Sequence, residues 1–92
     1  MALSGIKTIQ TAGTALPLGS QPVVGPLMVK ALTTNTGLVY IGNDGAGDVS
    51  SSNGFPLSAG NVVILNHISN LSAVIVDSAV NGEGVAWLIL NA

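Results

Sequence analysis

Short runs in which apolar and polar residues alternate dominate the middle of the chain. In residues 27–34, Val29 and Lys30 fall on opposite faces of an extended backbone, and residues 38–42 repeat the alternation. A period of two is typical of β-strands rather than helices. Asn35-Thr36-Gly37, between the two runs, has turn chemistry because Asn and Gly tolerate left-handed backbone. We therefore predict two strands joined as a hairpin.

The C-terminal part carries the strongest hairpin signal. Residues 73–80 and 83–90 are rich in apolar, β-branched residues and flank Asn81-Gly82. An Asn-Gly pair between such runs favours a two-residue type I′ turn, which would set Val76 opposite Trp87. Both faces of this hairpin are mainly apolar, whereas a sheet with one solvated face alternates apolar and polar residues. We expect its own domain to cover one face and a partner to cover the other.

The segments between these two regions predict further short strands. Residues 43–54 form a long loop rich in Gly, Ser, Asn and Asp, and Phe55-Pro56-Leu57 follows as an apolar plug. Residues 61–66 predict a strand, and the connection after it holds Ile68 and Leu71, which we expect to turn inward. Apolar residues at helical spacing are absent. About six to eight short antiparallel strands therefore indicate an all-β fold, either a small β-sandwich or a jelly-roll-like barrel.

Residues 1–26 differ in character from the β-sandwich domain predicted for residues 27–92. They contain two weak strand patterns, at 6–11 and 12–18, followed by a proline-rich stretch. Proline at this density excludes the interior of a helix or of a central strand. Two interpretations fit: the region supplies loops and edge strands, or it is an extended N-terminal arm that lies on a neighbouring subunit.

The low charge content changes how the surface of such a domain must be solvated. Of the 92 residues, 7% are charged and 48% are hydrophobic, whereas about 25% charged residues is usual. A domain this small buries a modest share of its own surface and needs further support, and the chain has no cysteine to supply disulfides. Ser, Thr, Asn and Gly could solvate the surface, but burial in a permanent assembly is the favoured interpretation.

Several classes of partner are disfavoured. The formal net charge is −2, and the two basic residues, Lys7 and Lys30, stand apart, whereas phosphate contacts need clustered Lys and Arg. The longest apolar run, residues 85–90, is far shorter than the ~20 residues of a membrane-spanning helix. The first ten residues lack the basic leader and apolar core of a signal peptide. We expect a protein that is used without secretion by that route.

The polar loop does not match the known ion-binding patterns. An EF-hand beginning at Asp44 would need Gly where Val49 stands and Glu where Phe55 stands, so the pattern fails. A looser calcium site that uses Asp44 and Asp48 stays open. The glycines of residues 42–47 precede neither a Gly-Lys-Ser/Thr motif nor a predicted helix, which excludes a phosphate-binding loop.

Candidate catalytic residues do not form a set. His67, Asp77 and the serines could be drawn as a triad, but the sequence contains no nucleophile elbow. Asp77 is the one carboxylate that we expect to be enclosed, where it would accept hydrogen bonds from loop backbone or pair with a lysine. Trp87 and Tyr40 could stack on sugars, but a sugar-binding surface usually exposes several aromatic side chains. We predict instead that Trp87 is a core anchor. We therefore predict no enzyme and assign no catalytic, cofactor-binding or metal-binding residue.

Two stretches of the chain resemble small proteins encoded among the structural genes of tailed bacteriophages. They are residues 29–42 (VKALTTNTGLVYIG) and 52–60 (SNGFPLSAG), and the similarity continues at 70–71 (NL), 74–76 (VIV) and 85–88 (VAWL). The resemblance covers residues 28–90 and leaves out the N-terminal region.

The resemblance implies a structural virion protein, most economically a capsid decoration (cement) protein. Such a protein would lie on the outer capsid surface after assembly in the host cytoplasm and would bridge neighbouring major capsid subunits. A homo-oligomer would be expected, with a trimer favoured and a hexamer as the alternative, and with no cofactor, nucleic acid or membrane. Two other functions stay open. One is a receptor-binding or fibre-tip module of the phage tail that uses the 43–54 loop, and the other is a free-standing carbohydrate-binding β-domain.

Overall fold

The computed structural model describes residues 3–45 and 48–89, which contain eight short strands and one 3₁₀ turn. The 3₁₀ turn spans Leu71–Ala73, and the side chain of Asn70 caps it by accepting a hydrogen bond from the Ser72 N–H. The strands are β1 (Leu3–Ile9), β2 (Leu16–Pro17), β3 (Leu27–Ala31), β4 (Val39–Gly42), β5 (Phe55–Leu57), β6 (Val62–Leu65), β7 (Ile75–Ser78) and β8 (Glu83–Ile89).

The strands form two four-stranded antiparallel sheets that pack as a sandwich. Sheet A has the order β1-β8-β3-β6, and sheet B has the order β2-β7-β4-β5. The predicted all-β, sandwich-like fold is therefore confirmed. Side chains on the inner faces of both sheets build one apolar core. Its buried members are Ile9, Leu18, Val23, Leu27, Val29, Ala31, Val39, Ile41, Leu57, Leu71, Val74, Val76, Val85 and Ile89.

The hairpin predicted between residues 27–34 and 38–42 is wrong. β3 pairs with β6 and β8 in sheet A, whereas β4 pairs with β5 and β7 in sheet B. The connection between β3 and β4 crosses from sheet A to sheet B, and hydrogen bonds to the start of β8 fix its position. The buried Asn35 donates from Nδ2 to the Gly84 carbonyl at 2.9 Å and accepts from the Gly84 N–H at 3.3 Å. Glu83 accepts hydrogen bonds from the backbone N–H groups of Thr36 and Gly37 at 2.7 and 3.0 Å.

The prediction of a C-terminal hairpin is also wrong, although a turn does form at Asn81-Gly82. The Glu83 N–H donates to the Val80 carbonyl at 3.4 Å, which closes the turn. A type I′ turn needs positive φ at both central residues, but here Gly82 alone has it, at 82°. Unprimed turns splay the flanking strands, so β7 continues in sheet B while β8 crosses to sheet A. Trp87 lies opposite Gly5 and Val29 rather than Val76.

The described part of residues 1–26 supplies an edge strand to each sheet. β1 pairs with β8 over its seven residues, and β2 pairs with β7 over two. Three side chains from this region, Ile9, Leu18 and Val23, lie in the core. Gly84 allows β1 to approach β8 closely, because a Cβ at that position would run into the Lys7 carbonyl.

The central segments follow the sequence pattern with one exception. Residues 62–65 form β6 as predicted, Leu71 is buried, and Ile68 packs against the core. Phe55 is the exception: its side chain is 59% exposed, so it is not an apolar plug, and Leu57 fills that place in the core. Two predicted positions, the strand end at Leu90 and the loop centre at 46–47, lie outside the described residues.

Candidate functional site

The outer face of sheet A is a continuous, mainly apolar surface that extends across all four strands. Strand register places its side chains in two rows, since residues directly opposite one another share a face. These eight residues define the outer face of sheet A in the text that follows. One row is Ser4, Leu88, Met28 and Ile64, and the other is Ile6, Ala86, Lys30 and Val62.

Several of these apolar side chains are open to solvent. Ile6 is 66% exposed, Ile64 50% and Val62 48%, while Met28, Ala86 and Leu88 are half-buried. In an antiparallel sheet that faces water, such outward positions are usually polar. A contiguous apolar patch of this kind marks an interaction surface more often than a free one.

The outer face of sheet B differs because the chain covers it itself. Asp77 and Ile75 point outward from β7, yet they are 3% and 4% exposed. The Gly13 N–H donates to Asp77 Oδ1 at 3.0 Å, so the segment after β1 lies over this strand. The buried Val49 and the tight approach of Gly54 to the Tyr40 side chain show that residues 49–54 fold back over β4. Sheet A is thus the sheet whose outer face is left open.

A cleft of about 350 Å³ opens between the edge strands β5 and β6. This volume is near the lower end of the range for small-ligand pockets. The one amide side chain in the lining, Asn43, accepts from the Gly45 N–H at 2.8 Å and donates to the Ala73 carbonyl at 3.1 Å. The cleft is otherwise apolar or backbone, lined by Ile41, Gly42, Phe55, Val63, Leu65, Ile68, Ala73 and Val74.

The surroundings of the Glu83 carboxyl lower its pKa. The backbone N–H groups of Gly37 and Thr36 hold the pKa of the Glu83 carboxyl below its usual value, and the Thr36 hydroxyl adds to the effect. This carboxylate fastens the crossover between the sheets to the first residue of β8. Its role is therefore structural.

The structure does not bring the candidate catalytic residues together. Asp77 is buried as predicted, and it accepts hydrogen bonds from loop and strand backbone at Gly13 and Ser78. His67 lies exposed in a bend after β6. Among the described residues, no hydrogen bond joins His67 to Asp77.

Two hydrogen bonds join Asp44 and Asp48 in the acidic loop. The Asp44 N–H donates to the Asp48 carbonyl at 2.9 Å, and the Asp48 N–H donates to Asp44 Oδ1 at 3.2 Å. Within residues 3–45 and 48–89, no group of three or more His, Cys, Asp and Glu side chains is placed to hold a metal ion. No helix in these ranges is long and apolar enough to span a bilayer.

The aromatic side chains of Trp87 and Tyr40 have different surroundings. Trp87 packs against the core from the inner face of sheet A. Its ring lies over Gly5, where a Cβ would come within 2.6 Å of Cζ2. Tyr40 is half-buried on the outer face of sheet B, where its side chain contacts Gly54. The Trp87 ring lies between the two sheets and the Tyr40 ring lies outside sheet B, so the two rings do not form a stacking platform for a sugar.

The sequence pattern indicated an apolar surface on β8 but missed its full extent. Ile6 and Ile64 belong to runs that are too short to identify a face, and strand order alone brings them into one row each with β8 residues.

No protein-family model matches the chain, and neither the curated proteins nor the solved structures include one that is significantly similar to it.

Proposed function

We propose that this chain is a structural protein of a tailed-bacteriophage virion, a capsid decoration protein that binds the major capsid protein. The observation that carries the proposal is the open, apolar outer face of sheet A. The resemblance of residues 28–90 to phage structural proteins adds the phage context. Binding would stabilise the head by bridging capsid subunits, because each apolar Å² removed from water contributes about 25 cal/mol.

The surface chemistry supports contact rather than catalysis. Lys30 is the single charged residue in the two rows of the outer face of sheet A. A face of this composition is poorly solvated in a free monomer and gains stability when another surface covers it. Among the described residues, the buried Asp77 accepts hydrogen bonds from backbone N–H groups and does not join a catalytic set.

Co-sedimentation with phage heads tests the proposal. The first expected result is a major capsid gene beside the coding sequence, and the heads for the assay come from the phage that carries that gene. Leu88→Lys places a charge in the centre of the outer face of sheet A. Val24→Lys is the matched control because Val24 is 66% exposed and lies outside the strands of that sheet.

We expect the wild-type chain and Val24→Lys to pellet with the heads and Leu88→Lys to stay in the supernatant. Thermal unfolding of all three proteins confirms that each is folded at the temperature of the assay. A wild-type chain that does not bind the heads, or a Leu88→Lys variant that binds as well as Val24→Lys, would contradict the proposal.

A further inference from the structure

β6 differs from the other edge strands because it carries no residue that discourages strand pairing. Proteins protect sheet edges with proline, charged side chains or glycine-induced irregularity. Pro17 lies in β2, Pro56 in β5, and Gly5 and Lys7 in β1. β6 is an uninterrupted Val-Val-Ile-Leu run at the edge of sheet A. Of the four sheet edges, it is the one suited to accept another strand.

The backbone of β6 is oriented for such pairing. The Asn61 carbonyl accepts a hydrogen bond from the Ala31 N–H at 2.9 Å, so the carbonyl of residue 61 points towards β3. Backbone direction alternates along an antiparallel strand. Val62 and Ile64 therefore turn their N–H and C=O groups towards the free edge, and their side chains are half exposed on the outer face of sheet A.

The chemistry on both sides of β6 defines the strand that could be added. Outward residues of an added strand would extend the apolar rows of Val62 and Ile64. Inward residues would lie over the apolar cleft, against Phe55 and beside Val63 and Leu65. The added strand must therefore be uncharged and apolar on both faces.

We propose that a second copy of this chain supplies that strand, so that two β6 strands pair antiparallel about a two-fold axis. Centring the pair on Val63 puts Val62 of each copy opposite Ile64 of the other. Outward residues then face outward residues, and β-branched side chains meet across the strands, which stabilises such pairs. The same axis brings the two clefts, with Phe55 at each rim, next to each other. Sheet A becomes one eight-stranded sheet.

The size of the edge indicates a weak dimer. Four residues of strand extend about 13 Å, and the smallest extent of the molecule is 18 Å. An edge of this size offers on the order of 250 Å² per copy, against about 800 Å² per partner in a standard stable interface. We therefore expect dimers at high local concentration, as on a capsid lattice, where pairing would double the outer face of sheet A offered to the partner. This use of the dimer rests on the proposed function.

Analytical ultracentrifugation from about 10 µM to about 1 mM covers the range expected for a small interface. Ile64→Lys adds a charge at the β6 edge. Ile6→Lys is the matched control, because Ile6 lies on the same face of the same sheet at the opposite edge and is also exposed. Amide hydrogen exchange of the wild-type chain at both ends of the range reports on pairing directly.

We expect the wild-type chain and Ile6→Lys to dimerise with similar Kd values, and Ile64→Lys to raise the Kd at least tenfold. The amides of Val62 and Ile64 should exchange more slowly in the concentrated sample. A wild-type monomer throughout, equal losses in both variants, or a dimer without protection at these amides would overturn the inference. A monomer that still pellets with heads refutes only the dimer, whereas a dimer that does not bind heads refutes only the proposed function.

Discussion

Removing the Asp77 carboxylate should destabilise the sandwich more than any surface substitution. The side chain is 3% exposed, and its Oδ1 accepts from the Ser78 N–H at 2.8 Å and the Gly13 N–H at 3.0 Å. Asp77→Ala leaves both donors without this acceptor, and each lost hydrogen bond to a charged group costs about 1.5–3 kcal/mol. Water can reach the N–H of Gly13, which is an exposed residue, so we expect a total loss of about 2–4 kcal/mol.

Asp77→Asn is the matched variant because it keeps an oxygen at the Oδ1 position. Its cost should stay near 1 kcal/mol, because both hydrogen bonds persist and only their charged character is lost. Urea unfolding, followed by the fluorescence of the single tryptophan, Trp87, measures both variants against the wild-type chain. The slope of the free energy against urea should not change. If Asp77→Ala lies within about 0.5 kcal/mol of wild type, or equals Asp77→Asn, the reasoning is refuted.

Three further predictions concern the packing of the two sheets. Gly84→Ala should prevent folding or lower the free energy of unfolding by more than about 3 kcal/mol, because the new Cβ meets the Lys7 carbonyl. Gly13→Ala is the control: position 13 is in open space at φ 91°, and the substitution should cost only about 1 kcal/mol. Circular dichroism melts would separate the two variants. The hydrogen bonds to Glu83 lower its pKa from 4.5, so the stability that they add is complete above that pH and is lost as the pH falls through the lower native pKa. Glu83→Gln should therefore flatten this part of a plot of the urea midpoint against pH. An unchanged plot would contradict the role given to the Glu83 carboxylate. Ile89→Ala, at a fully buried position, should lower the free energy of unfolding by about 2–5 kcal/mol in urea titrations, and a cost below about 1 kcal/mol would place Ile89 outside the core.

Strand positions could be predicted from the sequence because alternation is local. Residues 27–31, 39–42 and 62–65 form strands where the pattern indicates them. Strand partners could not be predicted in the same way. A strand with an inward apolar face can pair within either sheet, and the choice depends on contacts distant in sequence, such as the amide of Asn35 bonded to the backbone of Gly84.

The Asn81-Gly82 turn shows that a short motif can predict a turn without predicting which strands pair. The pair does form a turn, but positive φ at Gly82 alone lets the chain pass from sheet B to sheet A. The two apolar faces noted for this region therefore have separate explanations. On β7 the chain covers both faces, as the burial of Asp77 and Ile75 shows. On β8 the outward face, with Leu88, stays partly open.

The outer face of sheet A is the surface that we propose meets the capsid. Hydroxyl-radical footprinting of the chain bound to heads tests this directly, because Met28 lies within that face and its thioether is readily oxidised. Binding should slow the oxidation of Met28 and leave that of Tyr40, on the outer face of sheet B, unchanged. Protection of Tyr40 while Met28 stays reactive would contradict the central claim.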